Sequence, residues 1–186
     1  MGFSAAYGVR AKGKTVWSYA HGGGEPSLLG MSFADAAARL IKAQGVDALA
    51  GALDALRLVE ADAEPTTEDR DRFAAYADWS VNGGRGYYCL LRGLQGDIER
   101  QLELGVMMAA GAYICDRAYL IDLDEGMFKA FDGFYPRRGG ADENAGAVAS
   151  PEGPVQPEGP LLFASSLKGL AGKRLRQRFG RSPDWL

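Results

Sequence analysis

Tyr119-Leu120-Ile121-Asp122-Leu123-Asp124-Glu125-Gly126-Met127-Phe128-Lys129-Ala130-Phe131 places two apolar, strand-prone runs on either side of a polar turn. Glycine in the turn and aromatic or β-branched residues on both flanks predict a β-hairpin. The opening of the chain reads the same way, with Phe3–Arg10 and Thr15–Ala20 flanking Lys12-Gly13-Lys14. Between the hairpins the apolar period becomes helical. Phe33, Ala36, Ala37, Leu40 and Ile41 follow a Ser32 cap and stop at Gly45, and Ala48, Leu49, Ala52, Leu53 and Leu56 continue from Asp47. Thr66-Thr67-Glu68-Asp69 starts a third helix through Tyr76. Tyr87–Leu104 is helical in pattern, but Gly93 and Gly96 interrupt it, each costing about 1 kcal/mol relative to alanine. Two hairpins and several amphipathic helices without a βαβ rhythm predict an α+β fold. The expected architecture is a small antiparallel sheet built from the two hairpins, with helices on one face.

The 186 residues suit one compact domain, and 47% apolar with 24% charged residues is ordinary globular composition. Residues 1–135 form the expected α+β domain. Residues 136–160 are Gly, Ala, Pro and acidic, with Pro-Glu-Gly-Pro at 151–154 and again at 157–160, and read as a flexible linker or excursion. Residues 161–186 read as a C-terminal basic amphipathic helix and tail, capped by Ser165 or Ser166. No apolar run approaches the roughly 20 residues of a bilayer span, so no membrane association is expected. Two cysteines and the lack of a secretory pattern at the start point to the cytoplasm. Arginine outnumbers lysine 15 to 6, the usage of a high-GC bacterial or phage coding sequence.

A single histidine, His21, rules out multi-histidine metal sites. His21-Gly22-Gly23-Gly24 matches an esterase oxyanion-hole strand, but the chain has no GxSxG nucleophile, so a hydrolase is rejected. Gly8–Thr15 satisfies GxxxxGK[ST] in full, which would place Gly13, Lys14 and Thr15 at a nucleotide's phosphates and magnesium. The flanking residues argue otherwise, since Thr15-Val16-Trp17-Ser18-Tyr19 is a strand sequence where the motif needs a helix. Asp122 and Asp124, two apart on a strand, share a face and are a candidate divalent-cation pair; a polar hairpin tip is the competing reading. Cys89 and Cys115 read as small buried hydrophobes. Lys168–Arg181 holds six of the 21 basic residues and none of the 24 acidic ones. Within it Lys173, Arg174, Arg176 and Arg178 are candidate contacts for an acidic protein or a nucleic acid, against a solvated or intramolecular face.

Three segments carry a resemblance. They are Ser4–Arg10 with Tyr19-Ala20-His21, Tyr87-Tyr88-Cys89-Leu90-Leu91-Arg92-Gly93-Leu94-Gln95-Gly96-Asp97, and Ile114–Asp124. In order and spacing the chain resembles a family of short uncharacterised phage and bacterial proteins. These have an N-terminal Met-Gly hairpin, a central WYxLLRxxQGD-like segment and a late CEYAYxxDLD-like hairpin. The likeness spans roughly residues 2–134. It implies a cytosolic, mobile-element setting and no particular reaction. Where the family has His-Phe-Asp-x-Tyr-Pro, this chain has His21-Gly22-Gly23-Gly24-Glu25-Pro26. Arg92, Gln95 and Asp97 match the central segment. They read as a polar brace against the second hairpin, with Arg92 expected to meet Asp97 or Asp122.

The resulting expectation is a non-enzymatic accessory protein that binds another protein and needs no cofactor, in a phage or mobile-element conflict with a host. Its contact candidates are Trp79, Arg92, Gln95, Asp97 and the basic segment. A nucleotide- or magnesium-binding protein using Gly13, Lys14 and Thr15 is the first rival, and nucleic-acid binding through the basic segment is the second.

Overall fold

A computed structural model describes residues 2–111, 113–134 and 159–169. Strand β1 (Ala5–Ala11) turns through Lys12-Gly13 into β2 (Lys14–Ala20), pairing from Ala5↔Ala20 to Ala11↔Lys14. Both turn residues have positive φ, 51° and 75°, as a two-residue hairpin turn matching strand twist requires. A helical turn at Pro26–Gly30 leads into helix α1 (Met31–Gln44), then α2 (Val46–Asp54), strand β3 (Arg57–Val59) and α3 (Thr67–Phe73). Helix α4 (Gly86–Leu90), a 3-10 turn at Arg92–Leu94, α5 (Ile98–Leu104) and strand β4 (Val106–Met108) follow. Strands β5 (Cys115–Asp122), β6 (Met127–Phe134) and β7 (Leu161–Ser166) complete the described elements, with a 3-10 turn at Leu167–Gly169.

The main sheet runs β2-β1-β5-β6-β7. Both expected hairpins are present and antiparallel, but β1 and β5 join them in parallel, from Ala5↔Arg117 to Arg10↔Asp122. The sheet is therefore mixed rather than antiparallel. Parallel neighbours need a long crossover, and the residues between β2 and β5 supply it. Helices cover the sheet on both faces rather than on one. Tyr7, Val9, Tyr119 and Ile121 pack in one cluster with Phe33, Ala37 and Leu40 of α1 and Leu49 and Leu53 of α2. Ala6, Trp17, Tyr19, Ala118 and Leu120 belong to another with Phe73, Tyr87, Leu90 and Leu91. Both faces are covered, so β1 and β5 read as nearly continuous apolar runs.

The sheet is tightly stacked at Gly8. A Cβ there would stand 2.6 Å from both the Val16 carbonyl oxygen and Trp17 Cε3. Gly8→Ala is expected to cost about 2 kcal/mol by overpacking, lowering the thermal midpoint by roughly 4–8 °C for a chain this size. An unchanged melting curve would show that the two strands can part locally.

The chain between the hairpins differs from expectation at several points. Gly45 does close α1, and Thr66 does cap α3, accepting from the Asp69 amide at 3.1 Å. Ser32 instead lies inside α1, its hydroxyl donating to the Leu29 carbonyl at 3.1 Å. The expected helix over 87–104 breaks into α4, the Arg92–Leu94 turn and α5: Leu91 leaves helical geometry at φ −100° and ψ 18°, Gln95 is extended, and Gly96 takes φ +87°. Gly93 sits so close to Tyr76 that a Cβ would lie 3.1 Å from its carbonyl oxygen. Strands β3 and β4 pair in parallel as a separate two-stranded sheet. Leu161–Ser166, expected to begin a tail, is an edge strand on β6, so the folded unit reaches past residue 135. The remaining residues of 136–160 other than Gly159 and Pro160, and the basic positions Lys173, Arg174, Arg176 and Arg178, lie outside the described residues. Among the described residues no helix is long and apolar enough to cross a membrane.

Candidate functional site

The nucleotide-loop string at Gly8–Thr15 is a hairpin. No helix follows Thr15, which lies within β2. The amides such a loop would offer to phosphate are already engaged: those of Lys12 and Gly13 donate to Asp124 Oδ1 and Oδ2 at 2.6 and 2.8 Å. Gly13, Lys14 and Thr15 therefore form no phosphate cradle.

Asp122 and Asp124 do not pair around a cation site either. The Asp122 side chain is fully buried, receives Lys129 Nζ at 2.9 Å and the Glu125 amide at 3.1 Å, and has Arg10 Nη1 at 3.7 Å. Asp124 has Arg10 Nε at 3.5 Å. Both carboxylates are neutralised by protein cations, and together they clasp the two hairpin turns. Among the described residues no group of three His, Cys, Asp or Glu side chains is placed to hold a metal.

Both cysteines are free and buried, as expected. Burial, with a smaller contribution from Asp116, pushes the Cys115 thiol up to about 12. The Cys89 thiol donates to the Val81 carbonyl at 3.1 Å.

Three sequence-distant segments meet where β2 ends. Arg92 Nη1 donates to Gln95 Oε1 at 2.5 Å, and Arg92 Nη2 donates to the His21 carbonyl at 3.2 Å. The same Gln95 oxygen accepts the His21 amide at 3.1 Å. The guanidinium carbon lies 5.5 Å from the centre of the Tyr88 ring, within cation–π range. Arg92 thus braces the first hairpin, not the second, and meets neither Asp97 nor Asp122. Asp97 caps α5 by accepting the Arg100 amide at 3.0 Å, and Asp122 is held in the hairpin clasp.

The His21 ring belongs to an aromatic group that sequence reading did not assemble. Its Nδ1 is 2.8 Å from Tyr19 Oη. Burial, reinforced by Tyr88, pushes Tyr19 up to about 12, so Tyr19 keeps its proton at neutral pH. Tyr19 stacks on Tyr113 with centroids 4.3 Å apart. The repeated tyrosines at 7, 19, 87, 88, 113 and 119 were the available signal, but their partners are too far apart in the chain to be paired by spacing.

Beneath this group lies a buried polar knot. Tyr7 Oη is 3.0 Å from Ser18 Oγ and receives the Gly96 amide at 2.9 Å and Gln101 Nε2 at 2.6 Å. Gln101 Nε2 also donates to the Leu94 carbonyl at 3.0 Å. The broken helix is thereby tied to β1 through Gly96. A second knot holds α3: Arg57 grips both oxygens of Asp69, and the Tyr87 hydroxyl donates to the same carboxylate. The Arg57 guanidinium, then the Tyr87 hydroxyl, hold Asp69 below the usual carboxylate range despite its burial.

The sign of that shift fixes a pH dependence. A depressed carboxylate contributes stability above its unfolded value, near ~3.9, and loses that contribution as pH falls through the folded value. Asp69→Asn is expected to lower stability at pH 7 and to flatten the stability loss below about pH 4. Denaturant titrations at pH 7, 4 and 3 check this, and equal slopes in both proteins would remove Asp69 from the account.

An open groove of about 540 Å³ lies beside the brace. It is lined by Gly22 and Gly23 after β2, by Leu28, Ala36 and Arg39, and by Gln95, Gly96, Asp97 and Glu99. Leu28 is 58% exposed at its edge. Arg39 is held across the groove by Glu99, with contacts of 3.0 and 2.6 Å. Gln95 and Asp97 line this groove, Arg92 stands behind it, and Trp79 belongs elsewhere. Trp79 is 40% exposed, with Arg70 at 5.1 Å from its ring.

Comparisons with protein-family models, curated proteins and solved structures find no match.

Proposed function

We propose that the protein acts by binding another protein, without catalysing a reaction, and that the groove beside Gln95 is its contact surface. The observation that carries this reading is the groove itself. Three segments far apart in sequence converge on it, its walls are fixed by Arg92, Gln95 and Tyr7, and an exposed Leu28 stands at its edge. A preorganised concave surface with an apolar anchor lowers the ordering cost of association. Interface energy commonly concentrates on a few such residues. The resemblance to phage and bacterial proteins supports a cytoplasmic setting and a role in conflict between a mobile element and its host.

Affinity capture from a nuclease-treated bacterial lysate tests the proposal, with wild-type protein beside Leu28→Asp. Leu28 is exposed, so the variant is expected to fold normally. A stoichiometric protein retained by wild type and lost at least tenfold by Leu28→Asp supports the groove. Equal retention by both proteins moves the contact surface away from it.

A further inference from the structure

The two edges of the main sheet are finished differently. At β2 the outer edge is occupied: Ser18 bridges to Ala109, and the Ala110 amide donates to the Trp17 carbonyl at 2.9 Å. At the other edge, among the described residues, no strand pairs with the outer side of β7. The ladder to β6 shows which groups are left over. The Leu167 amide donates to the Gly126 carbonyl at 2.8 Å, and Ser165 and Phe163 stand opposite Phe128 and Ala130. Antiparallel bonds alternate along a strand, so Ala164 and Ser166 turn their backbone groups away from β6. Such a row is a template for another strand, and protein edges usually carry a charge or a proline to deter pairing. Leu161-Leu162-Phe163-Ala164-Ser165-Ser166 has neither.

We infer that β7 pairs antiparallel with β7 of a second copy of this chain, joining two main sheets edge to edge. The charges favour this occupant. The strand itself is uncharged, so two copies meet without repulsion. Its ends differ in sign: the Pro160 carbonyl at its start accepts the amide of Asp132, whose side chain is 50% exposed, and exposed Lys168 follows its end. Antiparallel pairing sets Lys168 of each copy at the acidic start of the other, whereas a parallel pair would set lysine against lysine. Closure favours it too. With one open edge on each described main sheet, pairing uses the same patch on both copies and stops at two. A pair of six-residue strands buries less than a standard interface of roughly 1,200–2,000 Å², so the dimer is expected to be weak, half dissociated at about 10 µM. The inference does not depend on the role of the groove.

Sedimentation velocity of the full chain from about 1 to 100 µM is expected to show a monomer passing into a dimer. Over that range native-state hydrogen exchange should slow at least ~threefold at Ala164 and Ser166, while Ile121 in β5 stays within about twofold. Ala164→Pro removes an outward amide from an edge strand, a position where proline is tolerated, and is expected to weaken the dimer at least ~tenfold. If that variant does not fold, exchange on the native chain decides alone. A dimer with concentration-dependent protection at Ala164 and Ser166 supports the pairing. A monomer at about 100 µM, a dimer whose Ala164 and Ser166 amides exchange alike at every concentration, or a dimer left intact by Ala164→Pro overturns it.

Discussion

Replacing Tyr7 by Phe should destabilise the protein by about 3 kcal/mol, although a single oxygen is removed. Tyr7 is fully buried, so no water takes the place of that oxygen. The Gly96 amide and Gln101 Nε2 lose the hydroxyl that accepts from them, and Ser18 Oγ loses its neighbour. Each buried polar group left unpaired costs about 1–3 kcal/mol. Gln101 keeps its bond to the Leu94 carbonyl, which holds the total towards the low end. The thermal midpoint should fall by roughly 6–12 °C for a chain of this length. Loss of less than about 1 kcal/mol would mean that the broken helix is held by apolar packing and that the knot is incidental.

Asp122→Ala is the second large effect, expected at about 3 kcal/mol. The carboxylate is fully buried and satisfies Lys129 Nζ and the Glu125 amide. Removing it leaves Lys129, whose side chain is only 17% exposed, with Glu125 as its remaining ion-pair partner. Breaking a buried pair from one side typically costs 3–5 kcal/mol, and the surviving Glu125 contact moderates that figure. Thermal denaturation also discriminates between the roles considered for this residue. If Asp122 held a divalent cation, millimolar magnesium would stabilise wild type and not the variant. The ion-pair geometry predicts no magnesium response in either.

The hairpins were legible because their information is local: alternating apolar residues, a short turn, and glycine where φ is positive. The parallel β1–β5 pair was not, since no local pattern records which of two apolar strands will lie side by side when Ala11 and Cys115 end and begin them so far apart in the chain. Three-residue strands such as β3 and β4 are too short to show a period. Gly93 and Gly96 did announce the break in the 87–104 helix, but not that Gly96 would bind Tyr7. At the site, Arg92 and Gln95 were visible as candidates while their partner was not. His21 stands 71 positions before Arg92 in the chain, and the bonds are to its backbone, which no residue type advertises. The Gly8–Thr15 string shows the opposite failure. It satisfies a motif whose chemistry depends on a strand-loop-helix context that Val16-Trp17-Ser18-Tyr19 does not provide. A chain cut at Pro160 would lose β7, an edge of the sheet, along with the basic segment.

The groove as contact surface is tested most directly by hydrogen exchange on the protein alone and in complex with the protein it retains. The account predicts slowed exchange on binding at Gly22–Leu29 and Gln95–Glu99, with Trp79 and the β7 edge unaffected. Protection confined to Trp79 or to Leu161–Ser166, with the groove exchanging as before, would contradict it.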